Sequence, residues 1–266
     1  MRKIVLQCLA IILLFFSTWF VLAQVDWMSV LEVQKTTDKT EEKLGELYLE
    51  LFKKTGAEID NPFVNHAIDS IVNTICRDNY IDRESIKVHL LRSDEINAFA
   101  LPNGHLLIYS GLILAADNQD QLGGVICHEI AHIQLNHVMK KLVKEVGLSA
   151  LVSMTMGKGG AEIMKETAKL LSSSAFDRSL EKEADIKAID YLINAKINPE
   201  PFANFLYKLS DNEFAAMKYQ SWISTHPDSK QRAGYIIDNI KNQPTKYEPV
   251  LTAGTWIKLR DILSQP

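Results

Sequence analysis

The stretch His128-Glu129-Ile130-Ala131-His132 decides the reading of this chain. Only seven histidines occur in 266 residues, and here two of them bracket a glutamate. On a helix, residues four apart are rotated by about 40° and lie one above the other on the same face. Both imidazoles then reach one zinc ion, and Glu129 is placed to act as general base towards water activated there, the H-E-x-x-H arrangement.

A catalytic zinc takes three protein ligands and keeps a fourth position open. On a continuous helix His137 fails as the third, since it points about 180° from His128 and about 140° from His132. The bent form, H-E-x-x-H-x-x-G-x-x-H, does not fit either: Leu135 stands at the glycine position and His137 comes one residue early. His137 is therefore expected to be a helix-face residue. The better third ligand is Glu181, in Arg178-Ser179-Leu180-Glu181-Lys182-Glu183-Ala184-Asp185. Glu181 and Asp185 share a helical face, whereas Glu183 points to the other side. Asp185 can then accept a hydrogen bond from a ligating imidazole and fix its tautomer. The plain alternative for this stretch is an acidic, solvated helix end; the paired histidines elsewhere tip the reading towards a ligand.

Around the site the chain reads as a mostly helical α+β domain with one small sheet beside the active-site helix. Thr36–Lys54 is charged and periodic, an amphipathic helix. Asn61-Pro62 opens a second helix through about Arg77, with Pro62 at its first position. Ile86–Leu91 alternates as a strand. Asn97–Leu101 and His105–Tyr109 form a hairpin about Pro102-Asn103-Gly104. Ser110 caps a short helix, Gly111–Ala116, and one long helix then runs from about Gln121 to Val146. An apolar stretch, Val146–Met156, and a glycine break at Gly157–Gly160 follow, either a mobile cover over the cleft, a segment that docks on a membrane surface, or a buried helix end and linker. Further helices are expected at about Ala161–Leu171, Leu180–Ala195, Pro199–Leu209 and Lys230–Asn242.

The amino terminus is different in kind. Arg2 and Lys3 precede an apolar run from Ile4 to Leu22 that ends in Val21-Leu22-Ala23. Residues 1–23 read as a cleaved signal peptide, with an N-terminal membrane anchor as the alternative, since about 20 apolar residues span a bilayer. Either way the remainder, residues 24–266, is exported to the periplasm or cell envelope as a single domain with its core at about 62–242. Net charge is −4 with the signs interspersed, and no basic patch points to nucleic acid. Cys76 and Cys127 are expected to be free, buried thiols, and Cys127 points about 100° away from His128, which makes it a poor ligand.

Taken together, H-E-I-A-H, the later E-x-x-A-D helix, Thr225-His226-Pro227 with Arg232, and Asn97-Ala98-Phe99-Ala100-Leu101-Pro102-Asn103-Gly104 before Ser110-Gly111-Leu112 resemble the M48 family of zinc metallopeptidases, which are gluzincins. The resemblance covers roughly Ile68–Ile240. It implies a zincin-like fold, one zinc per chain held by His128, His132 and Glu181, Glu129 as base, and Asp185 behind a ligand. It also implies that His226 latches the zinc or steadies the reacting carbonyl, with Arg232 near the same site. A chain without a helical-repeat extension or several membrane spans looks most like the compact, exported members. The function expected is endoproteolysis of unfolded or misfolded polypeptides, their extended backbone adding to the Asn97, Ala98, Phe99, Ala100 edge, the plain alternative being an ordinary core strand with Phe99 packed inward. The competing expectation is a chaperone or assembly factor with a closed, structural zinc.

Overall fold

The computed structural model describes Ser17 and residues 33–156, 160–173, 175–209, 220–240 and 246–265. The leader, residues 1–23, therefore lies outside the described residues apart from Ser17, as do Gly157–Gly159 and the expected helix end at Asn242. The chain divides after Thr40, and the unit that begins at Glu41 holds all the site residues. Among the described residues no helix is long and apolar enough to cross a membrane.

Helix α1 spans Val33–Phe52, and β1 (Ala57–Glu58) follows it. The Asn61 carboxamide oxygen accepts from the Phe63 and Val64 amides and so starts α2 (Pro62–Asp78), with Pro62 in the first turn as expected. Strands β2 (Lys87–Arg92), β3 (Ala98–Leu101) and β4 (His105–Tyr109) complete a four-stranded sheet of order β1-β2-β4-β3. The expected hairpin is present: β3 runs antiparallel to β4, pairing Ala98 with Ile108 and Leu101 with His105. Asn103 takes a left-handed conformation in the turn (φ 61°), a region that asparagine tolerates. β2 pairs with β4 in parallel, which leaves β3 as an edge.

Successive strand residues face opposite sides of a sheet. Leu90, Leu106 and Ile108 thus enter one core with α2, while Leu91, Leu107 and Tyr109 enter a second with Phe52 and Phe99. Burial on both faces is why β4 is apolar almost throughout rather than alternating. The mostly helical α+β expectation holds. Ser110, however, is not a cap. It is the first residue of α3 (Ser110–Ala115), and its hydroxyl donates to the Ser93 carbonyl and accepts from the Ser93 amide, tying the helix to the end of β2.

The long helix is two. α4 (Gln119–Gln134) begins two residues earlier than expected, because Asn118 accepts from the Asp120 and Gln121 amides as its cap. It ends at Leu135, where Asn136 turns left-handed (φ 59°), and α5 (His137–Val146) starts anew. Periodicity alone does not register such a one-residue interruption, because both halves are apolar on a helical repeat. Beyond Gly147 (φ 82°) lie α6 (Leu148–Met156), α7 (Gly160–Ser173), α8 (Arg178–Asn194), α9 (Glu200–Leu209), α10 (Gln220–Thr225), α11 (Ser229–Ile240) and α12 (Ala253–Ser264). Helix α4 packs between α8, α9 and β3.

Gly124 permits the α4–α9 approach, since a Cβ there would overlap the Phe202 side chain. Gly124→Ala is expected to destabilise the protein by about 1–3 kcal/mol through overpacking, read as a melting temperature several degrees lower. Cys76 and Cys127 are free and buried as expected, and burial raises both thiols, Cys76 to about 11 and Cys127 well above its ordinary value.

Candidate metal centre

Helix α4 supplies His128, Glu129 and His132; α8 supplies Glu181 and Asp185; the end of α10 supplies His226; and α11 supplies Arg232. None of them is more than 2% exposed. The one-turn spacing works as anticipated, with the Nε2 atoms of His128 and His132 lying 3.0 Å apart. Glu181, in the first turn of α8, brings a carboxylate oxygen 3.3 Å from His132 Nε2 and another 3.6 Å from His128 Nε2. His226 Nδ1 lies 3.1 Å from Glu181 and 3.3 Å from His128 Nε2. Donor atoms of His128, His132, Glu181 and His226 all fall within 4.8 Å of one another.

Two imidazole nitrogens and a carboxylate oxygen are a donor set that suits zinc. The charges fit as well. Buried carboxylates of Glu129, Glu181 and Asp185 face the buried guanidinium of Arg232, with Lys141 at the margin over the Phe176 ring. Burial of unpaired charge is costly, and a dication among these groups offsets the excess. Burial, then Arg232 and His132, lower the His128 pKa to about 3, and burial also lowers that of His226. Both rings are therefore neutral at pH 7 and able to ligate. Burial alone would raise the carboxyls of Glu181 and Asp185, but Arg232 and the adjoining histidines outweigh it and hold both well below the usual range.

Asp185 stands 2.9 Å from His128 Nδ1, the nitrogen turned away from the cluster, where it can fix the tautomer. Arg232 grips Asp185 with two nitrogens, at 2.7 and 2.8 Å, and sets its third 2.6 Å from Glu181. Its shortest contacts with the cluster are thus with carboxylates, and one terminal nitrogen also lies 3.4 Å from the His128 ring nitrogens. The Tyr235 hydroxyl also donates to Asp185.

Glu129 is adjacent to the donor set but not one of it. Its Oε2 accepts from the Ala100 amide at 2.8 Å, while Oε1 lies 3.4 Å from His226 Nε2 and has no hydrogen-bond partner among the described residues. Burial raises this carboxyl to about 7, against the opposing pull of His132 and the Ala100 amide.

The edge residues divide in their roles. The Tyr109 amide donates to the Asn97 carbonyl, so by antiparallel alternation Asn97 and Phe99 pair with β4, while Ala98 and Ala100 turn their backbone outward. The outward amides are already held, Ala98 by the Asn97 side chain and Ala100 by Glu129. Asn97 Nδ2 is buried with no partner among the described residues. Phe99 follows the inward alternative: its ring packs against Phe52 and Tyr109 at centroid distances of 5.3 and 5.7 Å.

His137 is a larger correction. It is not a helix-face residue but fully buried, its Nδ1 3.0 Å from His132 Nδ1 and its Nε2 3.2 Å from the Glu183 carboxylate. The angular argument assumed an unbroken helix, and the left-handed Asn136 reverses that geometry. Sequence reading also missed the rings enclosing the site: Phe176 stacks on His132 and Trp222 on His226, each at 4.2 Å. Neither carries a motif signal, since an aromatic beside a histidine in space leaves no spacing in sequence.

Comparisons with known proteins give the family. The beta-barrel assembly-enhancing protease of Yersinia pestis is 25% identical over 224 residues, which cover 80% of this chain and 45% of that protein. Metalloprotease LoiP of Escherichia coli (strain K12) is 30% identical over 169 residues, 61% of this chain and 66% of LoiP. The mitochondrial metalloendopeptidase OMA1 of Bos taurus is 29% identical over 166 residues, 56% of this chain and 31% of OMA1. The chain thus spans under half of the first of these relatives. Residues 62–238 match the profile of peptidase family M48. That span runs from the first residue of α2 into α11 and takes in every residue of the cluster, and the chain belongs to peptidase family M48.

Proposed function

We propose that this protein is a zinc-dependent endopeptidase that cleaves unfolded or misassembled polypeptides in the cell envelope. The observation that carries the reading is the convergence of His128, His132 and Glu181 with a glutamate, Glu129, beside them that is left out of the donor set. A structural site has no use for that glutamate. When bound, zinc supplies Lewis acidity to the scissile carbonyl and acidifies water.

The chain's own residues do the rest. Glu129 takes a proton from the attacking water and delivers it to the departing amine, a task suited to a carboxyl whose pKa lies near the working pH. Its hydrogen bond to the Ala100 amide aims it at the edge strand, where an extended polypeptide adds through its backbone. Asn97, wholly buried, accepts from the Ala98 amide through its side-chain oxygen and so braces that edge. Arg232 keeps Glu181 and Asp185 ionised and in place, and His226 stands where it can steady the carbonyl oxygen or cover the ion. Backbone recognition favours flexible chains over any one sequence. The relatives, a beta-barrel assembly-enhancing protease and a metalloprotease among them, support polypeptide substrates. Residues 1–23 then act as a signal peptide or membrane anchor.

One observation favours a second reading. His226 Nδ1 sits within the donor set, and a fourth protein ligand would close the site as in structural zinc centres, leaving a chaperone or assembly factor. The experiment is cleavage of an unstructured protein such as casein by the full chain. We expect cleavage with added zinc and none after a chelator, restored on zinc return. A stoichiometrically zinc-loaded protein that cleaves nothing would favour the second reading.

A further inference from the structure

Two imidazoles in the cluster need orienting, and Asp185 accounts for only one. His128 has that carboxylate at its outer nitrogen. The outer nitrogen of His132 instead meets another imidazole: Nδ1 of His137, at 3.0 Å, on a ring with no exposure to solvent. His137 Nε2 in turn lies 3.2 Å from Glu183, whose side chain is 52% exposed.

We propose that His137 and Glu183 are a positioning pair for His132, fixing its tautomer and ring angle so that Nε2 faces the metal. The inference rests on the zinc reading above. A carboxylate accepts only. Glu183 therefore takes the Nε2 proton of His137, which leaves His137 Nδ1 as an acceptor. His132 then carries its proton on Nδ1 and presents a bare Nε2 towards His128 and Glu181. Every member has one compatible role, and the chain of bonds ends in solvent at Glu183. His137 itself is no ligand, since it meets the side of His132 turned away from the donor set.

Local structure makes the contact. Left-handed Asn136 ends one helix and begins the next, bringing His137 back under His132, where an unbroken helix would carry it away. Helix α8 thereby serves the centre three times in five residues: Glu181 as donor, Asp185 behind His128, and Glu183 behind the partner of His132.

The test is zinc affinity of the full chain, measured by competition with a chromophoric chelator, beside the melting temperature of the metal-free protein. His137→Phe keeps the ring volume and removes the acceptor, and partners of this kind are worth about 10–100-fold in metal affinity. We expect a loss in that range with an altered visible spectrum of the cobalt-substituted protein. His137→Asn, whose side-chain oxygen takes the place of Nδ1, is expected to bring affinity back towards wild type. Glu183→Ala, at a half-exposed position where water can substitute, is expected to cost several-fold. A folded His137→Phe protein that binds zinc like wild type overturns the proposal; if His137→Phe does not fold, undiminished affinity in Glu183→Ala does so. Wild type that takes up no zinc defeats the metal reading itself, a different result from wild type and His137→Phe binding equally.

Discussion

Glu129→Gln is expected to slow cleavage of an unstructured protein by about 10²–10⁴-fold, the usual worth of a positioned acid–base group, while one zinc per chain stays bound. The two halves of this expectation come from separate observations. Glu129 is outside the set of converging donors, so the ion does not depend on it. Glutamine has the same volume and still offers an oxygen to the Ala100 amide, the only hydrogen bond that either carboxylate oxygen makes among the described residues. The loss is therefore in chemistry and not in fold. The same geometry gives the sign of the pH response. Glu129 works as a base only when ionised, and burial holds its carboxyl at about 7 without a metal. A nearby cation favours the ionised form, so wild-type activity is expected to rise with pH along a limb at or below about pH 7. A Gln variant that cleaves at wild-type rate, with zinc content confirmed, removes Glu129 from the mechanism.

Much of this site was legible because helices convert spacing into direction. His128 and His132 at four residues apart had to share a face, and Glu181 and Asp185 did likewise on a second helix. The hairpin was legible for a similar reason: Pro102-Asn103-Gly104 interrupts two apolar runs, and Asn103 does adopt the left-handed state that such turns need. What was not legible depended on events without a periodic signature. The break at Asn136 is a single backbone conformation, and it turns His137 back into the interior against His132. Glu183 does point away from Glu181, as its place in the helix requires, yet His137 reaches it from another element. Phe99 was an ambiguous edge residue until its partners Phe52 and Tyr109, distant in sequence, were known. Angular reasoning is sound within a helix and fails across its end.

Glu181→Ala is expected to abolish zinc retention, and the reasoning separates this loss from simple unfolding. Glu181 provides the sole carboxylate of the donor set, and α8 carries it in from outside the helix of the two histidines. Its removal should exceed the roughly 10–100-fold cost of losing a partner behind a ligand. The cost to the metal-free fold is smaller than for most buried ion pairs. Arg232, left by Glu181, keeps its two-nitrogen grip on Asp185 and so is not stranded as an unpaired buried charge. The variant also relieves part of the carboxylate excess among Glu129, Glu181 and Asp185. Thermal melts with and without zinc read both effects. Wild type gains stability from a ligand that binds only the folded state, about 2.7 kcal/mol at 100 times the dissociation constant, whereas Glu181→Ala gains none at the same zinc concentration. A variant that still holds stoichiometric metal and still melts higher with zinc would mean that His226 takes the third position, and the centre would be a three-histidine one with Glu181 merely beside it.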